Sequence, residues 1–300
     1  MKPEIATGSN NTPEQSEVSP RQDISNKAAR IVEITGDLPP MPHIAAEVIS
    51  KLSEPDSTAR DIHNLMQKDQ ALAARVLKVA NSPYYGASRS ISTLRDACMF
   101  MGFDAIRSLI MTAVMKGMFS SVSLSEKLIW EHTVGVGLAA RIIGDEVSFQ
   151  RKEQAYLAGL MHDVGKAALL LRSPAVMRDV MQEVYNDGAD FFDVELRLLG
   201  FTHTDVGQMI ADKWRFAIEI EDAIANHHQP GQAKSAPELT HIVSVANSIC
   251  HKLEVGPTRK PDLDLSGMES TKALGLSQAS IEKILLTVRE SLQAEDSSGV

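Results

Sequence analysis

"GLMHDVGK", Gly159 to Lys166, lies within "EQAYLAGLMHDVGKAALLL", an apolar run patterned as helix rather than strand. His162 and Asp163 stand side by side in it, with Gly165 and Lys166 just behind. Imidazole and carboxylate suit first-row divalent metals. Neighbours in a helix point roughly 100° apart, so the two can share a metal only when it lies between their directions.

The same period extends outward in both directions. "STARDIHNLMQKD" carries Ile62, Leu65 and Met66 behind a Ser57/Thr58 cap, with Asp61 placed to complete a capping box. "DQALAARVLKVANS" turns Leu72, Val76, Val79 and Ala80 inward behind Asp69. "STLRDACMFMG" opens on Thr93 and Asp96 and is expected to stop at Gly102. Further helical runs follow through "LIWEHTVGVGLAARIIGDEV", "DVELRLLGFTHTDVGQMIADKW", "AIEIEDAIANHHQP", "PELTHIVSVANSICHKL" and "SQASIEKILLTVRESL". No strand alternation or βαβ pattern competes with them. The sequence therefore predicts an all-α protein of two packed helical lobes, 25–122 and 123–292, the second a helical bundle. Residues 1–24, rich in Ser, Thr, Asn, Pro, Glu and Gln, and residues 293–300 are expected to be disordered tails.

Composition narrows the function classes. The 300 residues carry a net charge of -9 and no long basic run, which argues against a nucleic-acid partner and an anionic membrane surface. The N-terminus lacks a signal-peptide core, and no run is expected to reach the roughly 18 apolar residues of a membrane span, so a cytoplasmic protein is expected. Cys98 and Cys250 fall in apolar helical patterns and predict buried free thiols. "NSPYYG", Asn81 to Gly86, predicts a stiff helix-to-helix turn, with Tyr84 and Tyr85 as the alternative partner surface. Lys68, Arg75 and Lys78 read as a solvated face, "LPPMP" as a rigid entry to a helix, and "KLEVGPTRKPDLDLSG" as a surface loop.

Five of the nine histidines, all in the second lobe, form a set: His132, His162, His203, His227 and His228. With Asp163 they could converge in a helical bundle on one or two divalent metals such as iron, manganese or zinc.

This second lobe resembles the HD superfamily of metal-dependent phosphohydrolases, with its pattern H…HD…H…HH…D. The chain from about Leu38 to Leu253 resembles the HDOD family, the HD-related output domain of bacterial signalling proteins. The blocks that carry it are "LPPMPHIAAEVISKL", "QKDQALAARVLKVANSPYYG", "SISTLRDACMFMGFDAIRSLIM", "WEHTVGVGLAARII", "LAGLMHDVGKAALL", "HTDVGQMIADKW" and "AIANHHQP". The resemblance implies metal ligation by His132, His162, Asp163, His203, His227 and His228, and a phosphate contact for Lys166. It also implies a final metal-binding Asp within "VSVANSIC", where this chain has Asn247. The "GYP" block of cyclic-di-GMP phosphodiesterases is replaced by "HHQPGQAK". Both departures weigh against turnover. The expectation is a regulatory protein that works by binding a signalling partner or a ligand such as a nucleotide. A metal-dependent phosphohydrolase is the alternative.

Overall fold

The computed structural model describes residues 20–81, 91–119 and 123–298. Pro83 to Gly86 of "NSPYYG", most of the expected N-terminal tail and the last two residues lie outside these. Among the described residues the secondary structure is helical, with no strand.

The first lobe is built on α2 (His43–Leu52), α3 (Ala59–Met66), α4 (Gln70–Ala80) and α5 (Leu94–Met118). Its helix starts follow from local chemistry. Thr58 and Asp61 form the reciprocal capping box of α3, Asp69 accepts from the Leu72 amide at 2.9 Å, and Thr93 accepts from the Asp96 amide at 3.0 Å. Each such cap is worth about 1 kcal/mol. Gly102 breaks α5 with φ 81°, and the chain resumes as helix directly beyond it. Asn81 ends α4 by bonding both ways to the backbone of Ile91, at 2.7 and 2.8 Å.

One expectation is corrected here. Leu94–Met118 is long and apolar enough to cross a membrane by length and composition, although no run of that kind was anticipated. Its apolar window is 61% buried within the protein, where Ile106, Leu109, Ile110 and Met111 fill the core.

The second lobe is arranged around α6 (Leu124–Glu146), which packs against α7 (Lys152–Met161), α13 (Pro237–Lys252) and α15 (Gln278–Ser298). Helices α8 (Val164–Arg172), α9 (Pro174–Asp187), α10 (Phe191–Leu199), α11 (His203–Lys213) and α12 (Ile218–Asn226) complete it, with a short α14 (Glu269–Ala273) before α15. Two glycines of "GLMHDVGK" set the closest approaches. A Cβ at Gly159 would lie 2.7 Å from the Val136 carbonyl oxygen of α6, and one at Gly165 would lie 1.9 Å from the His203 carbonyl oxygen of α11. Backbone rests on backbone at both crossings. The lobes share one continuous apolar core, joined where α5 packs on α7. Cys98 and Cys250 are buried free thiols.

Helix α1 (Pro20–Thr35) begins inside the segment expected to be a tail, and α15 likewise runs to Ser298. Although α1 comes first in the chain, it docks on the second lobe. Lys27 pairs with Asp205 at 3.1 Å, and Ser173 Oγ donates to the Ile34 carbonyl. The "LPPMP" entry is held there too: Trp214 Nε1 donates to the Pro39 carbonyl at 2.9 Å and Lys213 to the Leu38 carbonyl at 2.7 Å.

Candidate metal centre

The objection that adjacent helical residues diverge is removed by where the helices stop. His162 and Asp163 occupy the turn between α7 and α8, and His227 and His228 follow the end of α12. In these turns the side chains converge: His162 Nε2 lies 3.2 Å from Asp163 Oδ2, and the His227 and His228 rings are 4.3 Å apart. His132 comes from α6, and His203 is the first residue of α11, behind the Thr202–Asp205 capping box. All six residues singled out as ligands, together with Lys166 and Asn247, meet at one place.

Asp163 is the centre. Its Oδ2 faces His162 at 3.2 Å and His132 at 3.8 Å, and its Oδ1 faces His203 at 3.2 Å and His227 at 3.8 Å. The ligand atoms form two groups able to hold a cation, His132–His162–Asp163 and His203–His227–His228. Lys166 Nζ donates to Asp163 Oδ2 at 2.8 Å and lies over the Phe191 ring. Burial pushes the Asp163 carboxyl up, but His162, Lys166 and His203 together hold it well below the usual carboxylate range.

The Nδ1 atoms are already committed. His162 donates to the Gly159 carbonyl at 2.7 Å and His227 to the Ile224 carbonyl at 2.9 Å, each in the last turn of its own helix. His132 donates to the Val255 carbonyl at 3.0 Å. His203 donates to Glu195 Oε2 at 2.6 Å, and the same oxygen takes the His203 amide at 2.7 Å. In a neutral His162 or His227 ring this leaves Nε2 as a lone pair aimed inward, the tautomer that binds metal, while the Nε2 atoms of His203 and His228 face one another at 3.1 Å. Burial, then His162, pushes His132 down to about 4; burial, then neighbouring histidines, holds His227 and His228 well below their usual range. His162 Nε2, His227 Nε2 and Asp163 Oδ1 are buried and lack a hydrogen-bond partner among the described residues. Buried lone pairs facing a carboxylate are costly unless a cation lies among them. The residues therefore fit a divalent metal. The C-terminal ends of α7 and α12 meet here, and their negative dipole ends favour a cation as well.

The two groups are not equivalent. His203 is backed by Glu195, a buried carboxylate that fixes the orientation of the ring and its tautomer. His132 instead has Asn247 at 3.0 Å from Nε2. The atom facing Nε2 is the amide oxygen Oδ1, an acceptor, so the other tautomer of His132 donates from Nε2 to Asn247 in place of the Nδ1 bond to Val255. In that tautomer Nε2 carries the proton shared with the carboxamide and has no lone pair for a metal.

Three features escaped the sequence. Glu195 has no motif; its only signal is a carboxylate on the apolar face shared by Phe191, Val194 and Leu199. His251 stacks on His132 at 5.1 Å, and burial followed by His132 holds it well below its usual range. The segment after α13, expected to be a surface loop, is exposed at Glu254, Arg259, Pro261 and Asp262, but its Val255–Gly256 turn packs on His132. Val255 accepts from His132, a Cβ at Gly256 would lie 2.6 Å from the His132 Cβ, and Lys260 pairs with Asp190 at 2.6 Å. His132, His162, Asp163, Lys166, His203 and His227 are at most 5% exposed, and only His228 reaches the surface in part.

Comparison with known proteins agrees with this architecture. The HDOD domain family model matches residues 38–230. An HDOD domain protein of unknown function from Geobacter sulfurreducens superposes with TM-score 0.78 at 27% identity, covering 93% of this chain and 97% of its own. A candidate phosphohydrolase from Shewanella amazonensis SB2B superposes with TM-score 0.72 at 21% identity, covering 90% and 98%. A candidate signal transduction protein from Marinobacter aquaeolei VT8 gives TM-score 0.76 at 20% identity, covering 93% of this chain and 65% of that one. No curated protein matches the sequence. With a family model spanning well over half its length and an HDOD structure of the same helical architecture, this chain belongs to the HDOD family.

Proposed function

We propose that this protein is a regulatory HDOD protein that acts through binding a signalling partner, and that its histidine centre is a structural metal site rather than a catalytic one. The observation that carries the reading is the burial of the centre: every ligand but His228 is at most 5% exposed, and Val255 and Gly256 pack on His132. Lys166 is itself only 5% exposed, bonded to Asp163 and covered by the Phe191 ring, so it offers a phosphodiester no open approach. The metal would be held by His203, His227, His228 and Asp163, and it would supply positive charge that ties α8, α11 and the end of α12 together. His132 and Asn247 satisfy one another and complete no second site.

Metal-dependent phosphohydrolysis is the rival reading. It is favoured by Asp163, which faces both histidine groups, and by Lys166 beside it. In that case a metal would polarise a phosphoryl oxygen and lower the pKa of bound water.

Elemental analysis of the purified chain, paired with hydrolysis assays on a generic phosphodiester and on cyclic dinucleotides, separates the two. The expected result is about one metal per chain, lost in His203→Ala, with no turnover above the metal-free background. Turnover abolished by both His203→Ala and Lys166→Ala would overturn the binding-only reading. Metal-free protein unchanged by added iron, manganese or zinc would overturn the metal site.

A further inference from the structure

The six ligand residues are not equally easy to reach. His132, His162, Asp163, His203 and His227 are at most 3% exposed, and His228 is half-buried. On the opposite flank the His251 ring stacks on His132 at 5.1 Å, and the Gly256 backbone packs on the same ring. A cation entering the centre therefore meets His228 first.

The turn into α10 stands at that position. Phe192 lies on the His228 ring, with centroids 5.2 Å apart. Its neighbour Phe191 is buried and covers Lys166 Nζ at 4.6 Å, which fixes the start of α10 against the centre. Asp190, one residue earlier, is the N-cap of α10 and has the extended backbone of a capping residue, φ -76° and ψ 143°. Such an Asp ordinarily accepts from an amide in the first turn of its helix. Asp190 makes no capping bond and accepts from Lys260 Nζ at 2.6 Å instead, across 70 residues of chain. The Lys260 amide in turn donates to the His251 carbonyl at 2.9 Å, which ties the pair to the ring that stacks on His132. The ion pair thus joins the two flanks of the centre, α10 on the His228 side and the segment after α13 on the His132 side. Asp190 has two alternative partners, Lys260 and the first turn of α10, so the loss of one is offset by the gain of the other.

We propose that the metal enters and leaves the centre past His228, with Phe192 as the door and the Asp190–Lys260 pair as its bolt. When the pair parts, Asp190 turns to cap α10, and Phe192 is free to swing off the imidazole. The side chains of the bolt are 34% and 44% exposed, so salt reaches them. A door changes the rates of uptake and release together and leaves their ratio, the affinity, as it was. The inference rests on the reading that the histidine centre holds a metal, and adds what governs its exchange.

The test follows release of metal from the full chain to a saturating coloured chelator, and uptake by metal-free protein. The probe is whichever of zinc, manganese or iron the parent chain binds. Phe192→Ala should speed release and uptake alike, each about tenfold, and leave Kd within about twofold. Lys260→Met should speed both about two- to fivefold, as befits a partly exposed ion pair. Raising salt from about 0.05 to about 0.5 M should speed release from the parent and leave the Lys260→Met rate unchanged. Tyr185→Ala, on the exposed face of α9, is the control and should alter neither rate. If Phe192→Ala fails to give a cooperative melt, Lys260→Met and its salt response decide. Release unchanged in either folded variant overturns the proposal. So does faster release with Kd weakened in proportion, which would make Phe192 a packing residue only. A parent chain that takes up none of the three metals overturns the metal reading itself, an outcome seen before any variant is made.

Discussion

Replacing Gly165 with alanine tests the claim that backbone contact between α8 and α11 builds the centre. The new Cβ would begin 1.9 Å from the His203 carbonyl oxygen, 2.8 Å from its carbon and 3.0 Å from the Gly207 nitrogen. Non-bonded heavy atoms rest near 3.5 Å, so the helices must part by about 1.5 Å. The obstacle is backbone and has no rotamer to change. Overpacking of this kind costs typically 1–3 kcal/mol and sometimes more, against which alanine regains up to about 1 kcal/mol of helix propensity. Because the obstacle is backbone, the upper end of that cost applies, and a net loss of about 2–3 kcal/mol lowers the melting temperature by roughly 4–12 °C in a chain of this size. The same displacement opens the 3.2 Å contact between Asp163 Oδ1 and His203 Nε2, so metal content should fall along with stability. Gly188→Ala is the control: its φ is 64° but nothing lies within 4 Å, so only the backbone strain of about 1–2 kcal/mol applies. Circular dichroism melts and elemental analysis read both effects. A Gly165→Ala protein melting within about 2 °C of the parent and retaining its metal would refute the close-contact account.

Glu195→Gln, which keeps shape but removes the charge behind His203, should weaken metal binding about 10–100-fold in a chelator competition with little change in helicity. Asn247→Asp should release His132 Nε2 and supply an anion, raising metal stoichiometry from about one toward two per chain; unchanged stoichiometry would refute the blocking role given to the amide. Stability should also fall with acid. His132 is depressed from 6.5 to about 4, and His227, His228 and His251 are lowered in the same direction. The unfolded chain therefore takes up protons before the folded one does. Stability is complete above about pH 6.5 and is lost as pH falls toward 4, with His132 alone accounting for about 3 kcal/mol. Asp163, held low, contributes its own loss only below the ordinary aspartate value of 3.8. Urea melts of metal-free protein between pH 7 and 4.5 check this, and a flat profile would contradict it.

What the sequence disclosed was local in cause. Apolar period and cap chemistry located α3, α4 and α5 because Thr58, Asp69 and Thr93 act within one helical turn of themselves. Gly102 was readable for the same reason. The six ligand positions were visible as a set of residue types, yet the convergence of His162 with Asp163 depends on a helix ending between them. Glu195 and His251 carried no pattern because their partners lie on other helices. The segment around Val255 looked like ordinary polar loop, since its contact with His132 spans 123 residues of chain. Gly159 and Gly165 read as parts of a motif, and only the crossings of α7 over α6 and α8 over α11 show what they are for.

The placement of α1 has a consequence for how the chain is made. Its bonds reach across most of the protein: Lys27 to Asp205 spans 178 residues and Trp214 to Pro39 spans 175. At roughly 5–20 residues per second, the ribosome needs on the order of 10–35 s to deliver those partners after α1 has emerged. Throughout that interval Ile31, almost fully buried in the finished protein, has no surface to cover it. Helix α1 is thus seated well after it is made, and a nascent chain stalled before Trp214 would display it to whatever chaperone or neighbour is at hand.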